Sequence, residues 1–215
     1  MHLTPPDSSP DTRSRLLEAA GEVFAEMGFK NATIREISQR AGANIAAVNY
    51  HFRDKEGLYR ALFDYAAQCA LAKYPIGGGI DPAAPAEERL RAFVQTYLSR
   101  LLDEGRPAWH GKLMAREMVE PTGALDILAE SFARPQYQRL SAILRELLGT
   151  GSSDETIRLC AASIVGQCLF YKQCRPMIDR LMPEQKYDEG AIARLAAHIA
   201  AFSLGAVQNL KGDAP

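Results

Sequence analysis

Two short helical patterns that meet at a glycine, between residues 33 and 52, constrain the fold of this chain more than any other feature. Thr33 is followed three residues later by Glu36, a capping box that predicts the start of a helix. The apolar residues of this helix recur on one face, at Ile34, Ile37 and Ala41. Gly42 predicts the left-handed residue that ends it, because glycine adopts that conformation without strain.

The second helix of the pair is predicted to begin after Asn44, a typical N-cap, and to run to about residue 50 or 51. A helix this short is stable only when it packs on a neighbour, so the pair forms a helix-turn-helix. Val48 has the spacing to face inward, which leaves an outward patch of small or amide side chains that fits a major groove. Asn can pair with adenine, and methyl groups can touch thymine. The patch consists of Ile45, Ala46, Ala47 and Asn49.

Basic residues are concentrated around this motif. Residues 30 to 60 carry six Lys or Arg and three acidic residues, a balance of about plus three, whereas the whole chain has a net charge of -1. A local excess of this kind suits contact with DNA phosphates. Each group also has a purely structural alternative: a surface Arg is solvated, Asn44 is only a cap, and the ring of Tyr50 packs in the core.

Residues 13 to 63 resemble the N-terminal domain of TetR-family transcriptional regulators, through LLEAA at 16–20, FAEMGF at 24–29, TIREI at 33–37, AGAN at 41–44, YHF at 50–52 and DKEGLY at 54–59. The resemblance implies an all-helical homodimer with an N-terminal operator-binding domain and a larger C-terminal domain for an inducer and the second subunit. With Arg35 as a further cation beside the motif, it implies that phosphate contacts come from Thr33, Asn44, Tyr50, His51 and Lys55. The second helix carries no Lys or Arg, so a guanine-reading side chain is missing.

Composition sets the class of protein. With 215 residues and 47% hydrophobic residues, the chain can bury a substantial core. We predict an all-α fold: a three-helix helix-turn-helix domain, then a larger helical domain. The cysteines, Cys69, Cys160, Cys168 and Cys174, lack the spacing of a metal site and are predicted to be small buried hydrophobes rather than redox sensors. No residues are predicted to be catalytic, and no cofactor or metal is expected.

The domain division is predicted at residue 55. Residues 1–11 are expected to form a disordered tail, residues 12–55 the DNA-binding domain and residues 56–210 the ligand-binding and dimerisation domain. The first helix should run from Thr12 to Met27, and a fourth helix, capped by Asp54, should carry Cys69 and other apolar residues toward a core and connect the domains. No segment approaches a membrane span, which predicts a cytoplasmic protein without a membrane partner.

Beyond the proline- and glycine-rich loop at 75–85, every periodic segment is helical. The last two helices are predicted at Asp154–Gln173, behind a Ser152…Glu155 capping box, and at Asp188–Gln208. The segment REMVEPT at 116–122 resembles the CecR-like subgroup of TetR-type regulators, whose members are associated with control of efflux or drug-tolerance genes.

Aromatic and methionine side chains in the middle helices are candidates for the lining of a small-molecule pocket, although each also suits a helical core. They are Trp109, Met114, Met118, Phe132, Tyr137 and Tyr171. The last two helices each present a stripe that suits a two-fold dimer interface, with intramolecular packing as the alternative. These stripes contain Cys160, Ile164, Gln167, Ile192, Leu195, Ile199 and Phe202.

The function predicted from these features is a sequence-specific transcriptional regulator, a homodimeric repressor that an apolar or amphipathic small molecule releases from operator DNA. One alternative is an architectural DNA-binding protein that responds to no ligand. The other is a helical enzyme that carries a helix-turn-helix, which is disfavoured because paired carboxylates, nucleophile motifs and phosphate loops are missing from the sequence.

Overall fold

The computed structural model of the chain describes residues 11–103, 105, 107–149 and 151–212. Within those residues every regular element is a helix and no strand occurs, which confirms the predicted all-α class. The helices are α1 (Thr12–Asn31), α2 (Ile34–Arg40), α3 (Ile45–Phe52), α4 (Lys55–Lys73), α5 (Ala86–Leu102), α6 (Ala108–Val119), α7 (Ala124–Ile127), α8 (Arg134–Leu148), α9 (Asp154–Gln173), α10 (Arg175–Leu181) and α11 (Glu189–Gly212), with a π-helical turn at Leu128–Ala133 between α7 and α8.

The first helix begins at its predicted residue and extends four residues past its predicted end. The Asp11 carboxylate caps α1 by accepting a hydrogen bond from Arg13 N at 3.0 Å. Gly28 interrupts the helix with a φ of 78°, and the chain then continues to Asn31. Asp11 therefore belongs to the helix cap rather than to the predicted tail, whose other ten residues lie outside the described part of the chain.

The first compact unit combines residues 11–68 with residues 107–131. Helix α1 packs against α2, α3 and α6, and the fully buried side chains at the centre include Leu16, Phe24, Ile37, Val48 and Phe63. This unit differs from the predicted division at residue 55, because α6 packs against α1 although about fifty residues of chain separate it from α3. Sequence order alone gave no sign of that contact.

The second unit contains residues 69–103, 105, 132–149 and 151–212. Helices α5, α8, α9 and α11 pack around one apolar core, and α10 lies against α9. The Ser153 side chain caps α9 by accepting a hydrogen bond from Thr156 N at 3.1 Å, so the predicted cap at Ser152 is wrong by one residue. Helix α10, with Pro176 in its first turn, was not predicted because its seven residues give too short a periodic pattern.

Two predictions about burial and composition are wrong. Cys69 is exposed and Cys174 is half-buried, so only Cys160 and Cys168 are the buried small hydrophobes expected. Glu189–Lys211 is long and apolar enough to cross a membrane by length and composition, with a mean hydropathy of 1.5. Arg194 carries the only formal charge between residues 190 and 208. One face of this helix packs in the core of the second unit.

Candidate nucleic-acid interface

The predicted helix-turn-helix geometry is present in α2 and α3. The Glu36 amide donates to Thr33 Oγ1 at 3.2 Å, and the Thr33 amide donates to Glu36 Oε2 at 3.0 Å, which forms the reciprocal capping box. Gly42 has a φ of 60° in the turn. Asn44 Oδ1 accepts a hydrogen bond from Ala46 N at 2.9 Å and so caps α3. These local bonds fix where α3 begins and how it leaves the turn.

Helix α3 has a buried inner face and an exposed outer face. Val48 and Phe52 are buried in the core of the first unit, while Ile45 and Tyr50 are 47% and 85% exposed. Ala46 and Asn49 are exposed as well, whereas Ala47 is half-buried and packs against the core. The outer face therefore presents one branched apolar side chain, one amide and one phenol, together with the methyl group of Ala46.

The cationic side chains near α3 differ in whether they already form ion pairs within the chain. Arg40 forms ion pairs with Glu22 and Glu26, at 3.5 and 3.0 Å. The Arg35 side chain is exposed on α2. Arg53 is the C-cap of α3 and has a φ of 75°, a backbone conformation that residues other than glycine rarely adopt. The predicted local excess of positive charge is thus smaller than the sequence count, because part of it is paired within the chain.

Lys55 has a different environment from the one that the resemblance implies. Its Nζ donates to the backbone carbonyls of Phe29, Lys30 and Ala32 at 2.8, 3.4 and 3.1 Å. It also lies 4.7 Å from the centroid of the Phe29 ring. An ammonium group has three donors, and these carbonyls accept all of them. Lys55 therefore ties the start of α4 to the last turn of α1 and to Ala32, which follows it.

The remaining predicted phosphate contacts lie at the two ends of α3 and at the start of α2. Thr33 is exposed, and its hydroxyl donates to Glu36 Oε2 at 2.7 Å. Asn44 is exposed at the start of α3, where its Oδ1 is used by the cap. The rings of Tyr50 and His51 meet edge to face, with centroids 5.0 Å apart, near the other end of the helix. The helix-turn-helix thus brings these side chains to the surface that carries α3.

The six predicted ligand-lining residues are divided between the two units. Trp109, Met114 and Met118 belong to the first, and the other three belong to the second. Trp109 is buried in the core of the first unit, and its Nε1 donates to Glu18 Oε2 at 3.0 Å. Met118 and Tyr137 are exposed, Met114 and Phe132 are half-buried, and Tyr171 packs partly against the second core. For Trp109 the structure favours the core alternative that the sequence left open.

Most of the predicted dimer residues face the core of their own chain. Ile164, Ile192 and Ile199 are at most 8% exposed and pack in the second unit, as does Cys160. For these four residues the structure favours the intramolecular packing that the sequence left open, because side chains enclosed by their own chain present little surface to a second copy. Gln167 and Leu195 are half-buried, and Phe202 is 63% exposed. The sequence did identify the intramolecular stripe of each helix, and the outward stripe lies opposite to it.

Two surface depressions occur in the second unit, and neither is lined by a residue of the predicted ligand set. One, of about 440 Å³, is lined by Glu184, Gln185, Lys186, Ala191, Arg194, Leu195 and His198. The other, of about 300 Å³, lies between α5 and α11. Among the residues that the structure describes, no group of three or more His, Cys, Asp or Glu side chains could hold a metal ion.

Comparison with known proteins agrees with this fold and site. Residues 16–62 match the family of bacterial regulatory proteins called the tetR family, and residues 86–207 match the C-terminal domain of the HTH-type transcriptional dual regulator CecR. The chain therefore belongs to the TetR family of DNA-binding transcription regulators, with a C-terminal domain of the CecR type. Its relatives are transcriptional regulators and not enzymes.

Individual relatives support the same assignment. The chain is 30% identical over 174 residues to the HTH-type transcriptional dual regulator CecR of Shigella flexneri, which covers 74% of this chain and 75% of that protein. It is 37% identical over 62 residues to the HTH-type transcriptional repressor AcnR of Corynebacterium glutamicum, covering 29% of this chain and 33% of that one. The crystal structure of a TetR-family transcriptional regulator from Streptomyces coelicolor has the same fold, with a TM-score of 0.63, 18% identity and coverage of 92% and 96%.

Proposed function

We propose that this DNA-binding regulator is a cytoplasmic homodimeric repressor that a small apolar or amphipathic molecule releases from a palindromic operator. The observation that carries the proposal is α3, a two-turn helix with capped ends, a buried inner face and an exposed outer face. A single helix of eight residues covers too few base pairs for operator-level specificity, and a symmetric dimer doubles the number. Repression is the activity named for the relative AcnR, whereas CecR is named a dual regulator.

The base-reading residues that we propose are Asn49, Ile45 and Ala46, since all three are exposed on α3. Ala47 is a weaker member of the predicted patch because its side chain is half-buried against the core. For phosphate contacts we propose Thr33, Arg35, Asn44, Tyr50 and His51, which lie around the same face. The amide of Asn49 can donate and accept together, which is the pattern that adenine presents in the major groove.

Operator selection from random DNA tests this assignment. We expect the wild-type protein to select a palindrome whose half-site centres lie about one helical turn, or a small multiple, apart. Asn49→Ala should relax selection at one base of each half-site, with a loss of about 1–3 kcal/mol at that position if the amide contacts adenine. Arg35→Ala is the matched control, because Arg35 is exposed on α2 and its replacement removes a proposed phosphate contact, which should weaken all sequences similarly. An unchanged base preference in Asn49→Ala would remove its assigned role.

The dimer interface that we propose is the outer face of α9 and α11, which pack against each other. Its exposed apolar or small residues are Leu159, Ala162, Gly166, Phe170, Ala201, Phe202 and Gly205. A Cβ built on Gly166 or Gly205 would meet no other atom of the chain within 4 Å. Open glycines beside exposed Leu and Phe side chains allow two helix pairs to approach closely and bury apolar surface.

Release by a ligand is the third part of the proposal. It rests on the family resemblance and on α4, a helix that contributes residues to both units and directly follows α3. By linkage, a molecule that weakens operator binding must itself bind more weakly by the same factor when operator DNA is saturating. Screening apolar and amphipathic compounds by operator release, followed by measurement of each affinity with and without operator, tests this. A compound with equal affinity in both conditions is not the inducer.

A further inference from the structure

We infer that Glu117, on α6, is a positioning residue for DNA binding: it joins the turn between α6 and α7 to α4 and thereby sets the orientation of the helix that follows α3. This assignment concerns the REMVEPT segment, for which the proposed function has no role. It also lies outside the helix-turn-helix, within residues that match the C-terminal domain of CecR.

The Glu117 carboxylate is completely buried and fully hydrogen-bonded on one side by its own turn. Its Oε1 accepts bonds from the Thr122 amide at 2.7 Å and from Thr122 Oγ1 at 2.9 Å. Thr122 Oγ1 also accepts a bond from Ala124 N at 3.1 Å, which joins the turn to the start of α7. Burying a carboxylate is costly unless hydrogen bonds compensate, so this cluster is held in one geometry.

The other oxygen of Glu117 reaches α4. The Tyr59 hydroxyl donates to Glu117 Oε2 at 2.9 Å, and Tyr59 itself is 2% exposed. Burial, together with the hydrogen bond to Glu117, raises the pKa of Tyr59 well above its usual value, so the hydroxyl stays a donor at all physiological pH values. The contact spans 58 residues of sequence and connects two helices of the first unit.

The ring of Tyr59 also packs against α1. Its ring lies 4.7 Å from the Phe24 centroid and 4.8 Å from the Phe29 centroid, both on α1. Lys55, one turn earlier on α4, lies over the same Phe29 ring. Because α4 begins three residues after the end of α3, a change in the angle of α4 against α1 also changes the direction of α3.

Helix α6 packs closely against α1, so Glu117 on α6 connects α4 to a helix whose own position is set by α1. A Cβ on Gly21 would lie 2.4 Å from the Trp109 ring, so only glycine admits the ring at this distance. At the other end of α6, a Cβ on Gly28 would lie 2.2 Å from Nη1 of Arg116. Two glycines of α1 thus receive two large side chains of α6, and Glu117 adds the connection to α4.

The test compares Glu117→Gln and Tyr59→Phe with Glu120→Gln. Glu120 is exposed at the end of the same helix, so its substitution makes the same charge change without touching the buried cluster. Operator affinity, its salt dependence and urea unfolding are measured for each full-length variant, below the temperature where any variant unfolds. This inference rests on the proposed function only in using the selected operator as the probe.

We expect Tyr59→Phe and Glu117→Gln each to raise the operator Kd at least fivefold, with an unchanged slope of log K against log salt, because no phosphate contact is lost. Glu120→Gln should bind like the wild type. The double variant should lose no more than the more affected single variant, since both act on one bond.

A merely structural role would give another result: lower stability in urea but an unchanged operator Kd for the folded protein, and this would overturn the inference. If Glu117→Gln does not fold, Tyr59→Phe decides the question, because it removes a single oxygen and keeps the ring contacts. A wild-type protein that selects no DNA sequence would instead contradict the proposed function, so the two failures are distinguishable.

Discussion

Lys55 and Arg35 are both cations of the helix-turn-helix region, and their surroundings give them different roles. The three donors of the Lys55 ammonium are accepted by backbone carbonyls at the end of α1 and before α2. Arg35 is exposed on α2. A phosphate contact by Lys55 would require it to give up one of these bonds, whereas Arg35 can meet a phosphate without such a loss.

Substitution of Lys55 by Met should therefore act on stability rather than on phosphate contact. We expect the free energy of unfolding to fall by about 1.5–3 kcal/mol, the range for hydrogen bonds to a charged group, while the slope of log K against log salt stays unchanged. In Arg35→Ala the same slope should become shallower by about two, because each protomer of the proposed dimer loses one phosphate contact. Operator binding at several salt concentrations measures both. A shallower slope in Lys55→Met would restore the phosphate role that the resemblance implies.

Helix α9 places the thiol of Cys168 inside the core of the second unit, and this burial makes stability depend on pH. Cys168 is 1% exposed, and burial raises the pKa of its thiol to about 12 from an ordinary value near 9. The folded state thus keeps a proton that the unfolded chain releases above pH 9. Stability from this group is fully present below pH 9 and is lost as pH rises toward 12.

We therefore expect the free energy of unfolding to fall between pH 9 and pH 12, and to fall less steeply in Cys168→Ala than in the wild type. Urea titrations at fixed pH values measure this. Cys69→Ala is the matched control, since it removes an exposed thiol and leaves the buried thiol of Cys168 in place. An equal slope in wild type and Cys168→Ala would show that other groups cause the alkaline loss.

The elements also show what the sequence could and could not predict. Local signals were sufficient for α2 and α3, because Thr33, Glu36, Gly42 and Asn44 act on backbone groups within a few residues of themselves. They were not sufficient for α9 and α11, where both faces are apolar or small. Periodicity identifies an apolar stripe but not whether it faces its own core or a second chain, so it could not show that Ile199 packs in the core of its own unit.

The docking of α6 on α1 is a further contact that local patterns could not predict. Gly21 lies inside a helix, where glycine costs about 1 kcal/mol relative to alanine. Its presence is explained only by the Trp109 ring, 88 positions later in the sequence, that lies against it. Similarly, the REMVEPT segment was recognised as a family resemblance, but its bond to Tyr59 depends on tertiary structure.

At the scale of the whole molecule, the high mean hydropathy of α11 is explained by its two apolar faces. The inner face, with Ile192, Ile199 and Val207, packs in the second core. The outer face carries Phe202 and the open Gly205. A helix that packs on both sides has the mean hydropathy of a membrane span, so its composition fits the dimer interface that we propose.

Charge placed on this outer face tests the dimer and its link to DNA binding together. Phe202→Asp should give monomers with unchanged helical content, because a carboxylate at an apolar interface would be buried without a partner while the core of its own chain is untouched. Operator binding should fall sharply, since each monomer contacts a single half-site. Sedimentation, circular dichroism and operator titration measure the three quantities. Leu181→Asp is the matched control: Leu181 is an exposed apolar residue on α10 that is not part of the proposed interface, and its variant should remain dimeric and bind normally. A Phe202→Asp protein that stays dimeric would place the interface on another surface, and a wild-type monomer that binds operator at full affinity would contradict the dimeric mechanism.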